Sequence, residues 1–293
     1  MGEPLPPSGT FDLGEATRAL AGDLKKRIER VSKKRAPARE VHKLRSGSRR
    51  IEALVDNLLP RARRPSDLPG VIRDVRKRAG RVRDCDVAID ILKRDLPRGD
   101  FSAQATKLVR SMLAKRRKKA ERRLREQAGQ HKAREIPRRL QRAAKGVELD
   151  QRQIRAALGR CRARIGRLAT DDVAGSNERL HQLRLAIKCL RDTSALVSPA
   201  MPAASGLAAR AETLADLLGG AQDLVVLGEL LEKVSRNATP SQQTALHALR
   251  KEVSARHRAA HRRAVRSLDT LDALTLSPPV TGRPVGAARR RTG

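Results

Sequence analysis

Residues 40–54 read EVHKLRSGSRRIEAL and residues 179–193 read RLHQLRLAIKCLRDT. Aligned, they place His42 over His181, Arg45 over Arg184 and Arg49 over Lys188, an offset of 139. Working outward, Pro60 falls on Pro199 at the same offset, and Asp86 falls on Asp223 at 137. The basic segment Arg110, Arg116, Lys118, Arg122 and Arg123 falls on Arg250, Arg256, Arg258, Arg262 and Arg263 at 140. Upstream, Lys25, Arg27, Ile28, Arg30 and Val31 fall on Arg162, Arg164, Ile165, Arg167 and Leu168 at 137. A chain that repeats four segments in the same order is expected to be an internal duplication.

The repeated segments have helical periodicity. Ile154, Leu158, Cys161, Ile165 and Leu168 make a heptad-like seam, with Arg160, Arg164 and Arg167 on the other side. Leu68, Ile72, Val75, Ala79, Val82, Ile89 and Leu96 make another, with Pro65, Pro69 and Pro97 at its limits, and Thr239-Pro240 opens a late helix. The expected fold is all-α: two pseudo-symmetric antiparallel four-helix bundles, the first spanning about 11–135 and the second about 147–276. Between them, Gly129, Pro137 and Gly146 interrupt a basic, weakly apolar stretch that reads as the boundary. Residues 1–10, and 277–293 with the run Arg289-Arg290-Arg291, read as flexible ends outside the fold.

The 293 residues carry 65 Lys+Arg against 32 Asp+Glu, a net charge of +33, while hydrophobic residues at 39% remain sufficient for a globular core. The expected partner is therefore an anion. With no Trp, no Tyr and two Phe, the chain lacks platforms on which bases could stack. Three cysteines without a CxxC fit free thiols in a reducing compartment, and Cys161 and Cys189 read as small hydrophobes. No apolar run reaches the length of a membrane span and no signal segment opens the chain, so a cytoplasmic protein is expected.

On the second helix of each half, Val41, Leu44, Ile51, Val55 and Leu58, and correspondingly Leu180, Leu183, Ile187, Leu190 and Val197, form a core stripe. One residue step turns about 100° round a helix. His42, Arg45 and Arg49, and likewise His181, Arg184, Lys188 and Arg191, therefore flank the core as a row of donors at the bundle rim. A solvated face of ion pairs is the bland alternative, but 33 surplus cations leave too few carboxylates to complete it. Asp86 and Asp223 share faces with apolar residues, and each is expected to ion-pair with its own half's His or Arg, aiming that side chain at an external anion. No metal is expected, because one His and one Asp per half are too few ligands and no HExxH occurs. His257 and His261 are two turn-spaced imidazoles in an Arg-rich stretch. No phosphate-cradling glycine loop and no cofactor motif is present.

The segment Val41-His42-Lys43-Leu44-Arg45 with Arg49-Arg50, repeated as Leu180-His181-Gln182-Leu183-Arg184 with Lys188 and Arg191, resembles the CHAD family, the conserved-histidine α-helical domain. Arg83-Asp84-Cys85-Asp86-Val87 is similar to that family's RDxDV element, and Leu218-Gly219-Gly220-Ala221-Gln222-Asp223 to its LGxxxD counterpart. The chain departs at Glu52, where the second half has Arg191, and at Gly47 inside the motif helix. The resemblance implies two four-helix bundles with a basic surface around their junction that binds inorganic polyphosphate, in the cytoplasm at polyphosphate granules. It implies binding by His42, Arg45, Arg49, Arg50, His181, Arg184, Lys188 and Arg191. Lys26, Arg30, Arg164, Arg167, Arg110, Arg116, Lys118, Arg122, Arg250, Arg256, Arg258 and Arg262 on flanking helices are expected to complete the surface. A non-catalytic binder with no cofactor and no membrane partner is the leading expectation. Two others stay open: a general nucleic-acid binder, with nucleic acid otherwise only a non-specific competitor, and a phosphoryl-transfer enzyme using His42 or His181.

Overall fold

The computed structural model describes residues 10–33, 35–94, 103–169, 176–236, 238–271 and 274. The expectations for residues 1–9 and 277–293 fall outside them. Among the described residues nine α-helices account for nearly all regular structure: α1 (Leu13–Lys33), α2 (Ala38–Asn57), α3 (Leu68–Arg94), α4 (Ala103–Gly129), α5 (His131–Ala144), α6 (Gln151–Leu168), α7 (Asn177–Val197), α8 (Ala203–Ser235) and α9 (Pro240–Arg266). The chain is all-α, as its 3.6-residue periodicity requires.

Local chemistry sets several helix starts. Asp150 caps α6 by accepting from the Gln153 backbone N–H at 2.7 Å, while the Gln153 side chain accepts from the Asp150 N–H at 2.9 Å. Pro240 opens α9 where a missing N–H costs nothing, and Pro69 lies in the first turn of α3. A two-residue antiparallel pair, β1 (Phe11–Asp12) with β2 (Glu148–Leu149), ties the start of the chain to the α5–α6 connection.

The order of helix packing repeats along the chain. In the first set α2 lies against α1 and α3, and α3 against α4; in the second α7 lies against α6 and α8, and α8 against α9. The sets meet where α2 packs on α7 and α3 on α8. One apolar core runs through both sets, and a second cluster joins Leu92, Val109 and Leu113 of α3 and α4 to Leu231, Leu249 and Val253 of α8 and α9.

The segment read as a boundary contains a fifth helix of the first set. Ala133, Ile136, Pro137, Leu140, Ala143 and Ala144 of α5 are buried against α1 and α3, a three-and-four spacing that one proline does not break. The helix stops at Gly146, whose φ of 66° is the left-handed conformation a side chain would strain.

The three cysteines are free thiols. Burial pushes the Cys85 thiol up to about 11, so it stays protonated. Cys161 and Cys189 lie where α2, α6 and α7 meet, and Asn57 donates to the Cys189 sulfur at 3.2 Å and to Thr193 Oγ1 at 3.1 Å.

Candidate functional site

Packing α2 on α7 brings the two His/Arg rows together. The stripe positions lie one step from buried Leu44, Leu183 and Ile187, so their stems are held by the core and their heads meet across the helix pair. Lys188 is only 7% exposed, and Arg45, Arg49, Arg184 and Arg191 are half-buried. Burial, followed by the fields of Arg184, Arg49, Arg191 and Arg45, pushes the Lys188 ammonium down to about 7. Burial and Arg49 likewise push Arg45 down to about 10. Arg49 and Arg184 fall as well, chiefly by burial, each against an opposing carboxylate.

Each row is positioned by the neighbouring helix. Arg184 Nε donates to the Ala215 carbonyl at 3.3 Å, and its guanidinium lies over Gly219, where a Cβ would sit 3.0 Å from Nη2. Arg45 lies over Gly80, where a Cβ would sit 3.4 Å from its Nε. Asp223, one turn beyond Gly219, attracts Arg184; Asp84, one turn beyond Gly80, attracts Arg45. Burial and the nearness of Asp223 hold the Asp84 carboxyl above its usual range. Among the described residues no carboxylate stands within ion-pair distance of Arg45, Arg184 or Lys188. Arg49 and Arg191 do have one, since both converge on Asp192, which is 2% exposed: Arg49 Nε donates to Oδ2 at 3.0 Å, and Arg191 donates to Oδ1 at 2.6 and 3.0 Å. Arg191 also reaches Glu212 at 2.7 Å. Glu52, where α7 has Arg191, pairs with Arg76 of α3 at 2.5 Å, so the departure reverses the ion pair's polarity.

His42 is exposed and His181 half-buried. Desolvation, then Arg83 and Arg45 for His42 and Arg184 for His181, lowers both below the ordinary histidine range. Each is neutral at pH 7 and supplies hydrogen bonds, not charge. His181 shares a side-chain hydrogen bond with Gln222, while its buried Nδ1 has no partner among the described residues.

Asp86 forms an ion pair with an arginine of its own half, but with Arg117 and not with the His/Arg row. It accepts from Arg117 Nε of α4 at 2.5 Å, and Arg117 also donates to Glu121 Oε2 at 2.9 Å and to the Ala36 carbonyl at 3.0 Å. Ala36 N–H in turn donates to Glu121 Oε1 at 2.6 Å. This network fastens the α1–α2 connection to α3 and α4 and touches neither His42 nor Arg45. The carboxylate that faces Arg45 is Asp84. Its signal was in the sequence: Gly80-x-x-x-Asp84 and Gly219-x-x-x-Asp223 share the 139 offset of the histidines, whereas Asp86 needed 137.

The flanking cations are dispersed. Arg50 and Lys26 are exposed, and Arg30 stands 3.3 Å from Glu40, which Arg27 holds at 2.6 Å. Arg164 and Arg167 are exposed on α6, Arg110 and Arg116 on α4, and Arg250, Arg258 and Arg262 on α9. Arg256 pairs with Glu252 at 2.7 Å and borders a cavity of 530 Å³ with Arg263 and Asp223. Lys118 and Arg122 line a different cavity, of 1040 Å³, on α4. Among the described residues no three His, Cys, Asp or Glu side chains are grouped as metal ligands, and no helix is long and apolar enough to cross a membrane.

The scaffold is all-helical, with a seam of half-buried and buried cations where the two helix sets meet. The chain matches the CHAD domain family over residues 15–232 and again over 177–277, and it belongs to that family. It is similar to the CHAD domain from the plant Ricinus communis, with 20% identity, 92% of this chain and 94% of the other covered, and a TM-score of 0.69. It is also similar to PptA from Streptomyces chartreusis, with 17% identity, 88% and 98% covered, and a TM-score of 0.69. These likenesses carry the fold. The curated proteins include no match.

Proposed function

We propose that this protein binds inorganic polyphosphate along the α2–α7 seam without turning it over, and that this binding places it at polyphosphate granules in the cytoplasm. Membership of the CHAD family, with which polyphosphate binding is associated, supports the reading. The observation that carries it is the burial of Lys188 and half-burial of Arg45 and Arg184 with no carboxylate in ion-pair range among the described residues. Fixed cations that repel one another store free energy that a linear polyanion releases. Arg45 and Arg184 present planar forks to phosphate oxygens, Lys188 a point charge, and neutral His42 and His181 hydrogen bonds. Arg49 and Arg191, held by Asp192, frame the seam. The shortage of aromatic side chains removes base stacking as a source of affinity for nucleic acids.

The test is a titration of the purified protein with long-chain polyphosphate at near-physiological salt, with duplex DNA and RNA as competitors at equal phosphate and phosphate release followed in the same samples. Tight binding that survives the competitors, no release, and loss of at least tenfold in affinity in Arg45→Ala, Arg184→Ala supports the reading. Displacement by nucleic acid would assign the affinity to net charge, and phosphate release abolished by His42→Ala, His181→Ala would make the protein an enzyme.

A further inference from the structure

The 1040 Å³ cavity on α4 is separate from the seam. Ser111, Ala114, Lys115, Lys118, Glu121, Arg122 and Arg125 recur at three- and four-residue steps on one side of α4, and Arg35 closes the far wall. Small Ser111 and Ala114 leave the concavity open, while the basic side chains around them are long. The carboxylate of the lining is already engaged: Glu121 accepts from the Ala36 N–H at 2.6 Å and from Arg117 at 2.9 Å, which leaves it little to offer the remaining cations. Arg125 stands 3.9 Å from it, and the buried Nε of Arg125 has no partner among the described residues. Arg122 has only a 3.7 Å approach to exposed Glu126.

Two features distinguish this cavity from the seam. None of its cations is among the charges that act most strongly on Arg45, Arg184 or Lys188. It is also not repeated: at the 140 offset Lys118 and Arg122 become Arg258 and Arg262, but Lys115, Lys119 and Arg125 become Ala255, Ala259 and Val265. A site belonging to the paired His/Arg rows would recur with them.

We propose that the α4 groove is a second, independent seat for condensed phosphate, present only in the first helix set. A short condensed phosphate then occupies two places per chain, and a long one engages both. The proposal rests on the polyphosphate reading above. It adds that the two seats are coupled only through the ligand, by effective concentration, and not through the protein.

Sodium tripolyphosphate is the probe. By titration calorimetry at near-physiological salt the wild type is expected to bind two equivalents, Lys118→Gln, Arg122→Gln one, and Arg45→Ala, Arg184→Ala one. Long-chain polyphosphate should bind the groove variant at least tenfold more weakly than the wild type. Arg152→Gln, Arg155→Gln, at two exposed positions of α6, removes the same charge and should leave both stoichiometry and affinity unchanged, with circular dichroism confirming the fold of each variant. One equivalent in the wild type, or equal losses in the groove and α6 variants, would overturn the groove. If the seam variant keeps two equivalents while the groove variant loses one, the seam assignment fails and the groove stands; if the wild type binds no tripolyphosphate and no long chain, both readings fall.

Discussion

Lys188 is the residue at which the cost of the seam is concentrated. Its folded pKa of about 7 lies below the ordinary 10.5, so between those values the unfolded chain holds a proton that the folded one lacks. Stability attributable to Lys188 therefore rises as pH climbs through that window, by at most about 1.4 kcal/mol per unit, and below pH 7 the full repulsion remains. The free protein is expected to melt higher at pH 8.5 than at pH 6.5, with a shallower rise in Lys188→Met, as scanning calorimetry would show. Bound polyphosphate reverses the preference, because an adjacent anion favours the ammonium. Above pH 7 binding must take up a proton, so affinity is expected to fall on the order of tenfold from pH 6.5 to 8.5, and Lys188→Met to bind more weakly with a flatter profile. A rising affinity with pH would contradict this placement of Lys188. Gly219 gives a second residue-level test. Alanine in a helix interior gains about 1 kcal/mol over glycine, but here its Cβ meets Arg184 Nη2 at 3.0 Å. Gly219→Ala should leave the melting temperature level or higher while lowering polyphosphate affinity several-fold, because the guanidinium and not the backbone gives way. Unchanged affinity would mean that the position of Arg184 does not matter.

At the scale of the elements, the Arg117 network decides where α2 begins. Arg117 binds Asp86, Glu121 and the Ala36 carbonyl at once, so its removal leaves buried Asp86 and that carbonyl without their donor and buried Glu121 with the Ala36 N–H in place of a charged partner. Arg117→Met is expected to cost about 3–5 kcal/mol by urea unfolding. A cost below about 1 kcal/mol would make the network ornamental. The same region shows what could be read without coordinates. The His/Arg rows were legible because a helix repeats its face every three or four residues and the pattern occurs twice. Their convergence was implied only by the family resemblance, since no spacing within α2 specifies that its polar edge lies against α7. Asp86 was mistaken for the partner of the rows because it shares an apolar face with Val82 and Ile89. The helix actually turns Asp84 toward Arg45 and Asp86 toward α4, and the Gly80-x-x-x-Asp84 spacing would have separated them. Helix α5 was legible in Ala133, Ile136, Leu140 and Ala143, but Pro137 among them read as a break. Its missing N–H proves tolerable in a helix whose stability comes from one buried face.

For the whole molecule, +33 on 293 residues sets two opposing responses to salt. Screening relieves repulsion within the free fold, so raising sodium chloride from 50 to 500 mM should raise its melting temperature. The complex responds in the other direction, because each phosphate contact releases condensed counterions whose gain in entropy shrinks as salt rises. At low salt, long-chain polyphosphate at a hundred times its dissociation constant should stabilise by about 2.7 kcal/mol. Near 500 mM the weakened affinity should leave the two melting curves close together. Seam and groove variants separate specific contacts from the field they share: each should shallow the salt slope of affinity only by the cations removed, while Arg45→Ala, Arg184→Ala lowers affinity at every salt concentration, including those where the field is screened. If the seam variant differed from the wild type only at low salt, the buried cations would be acting as diffuse charge, and their placement over Gly80 and Gly219 would have no consequence for binding.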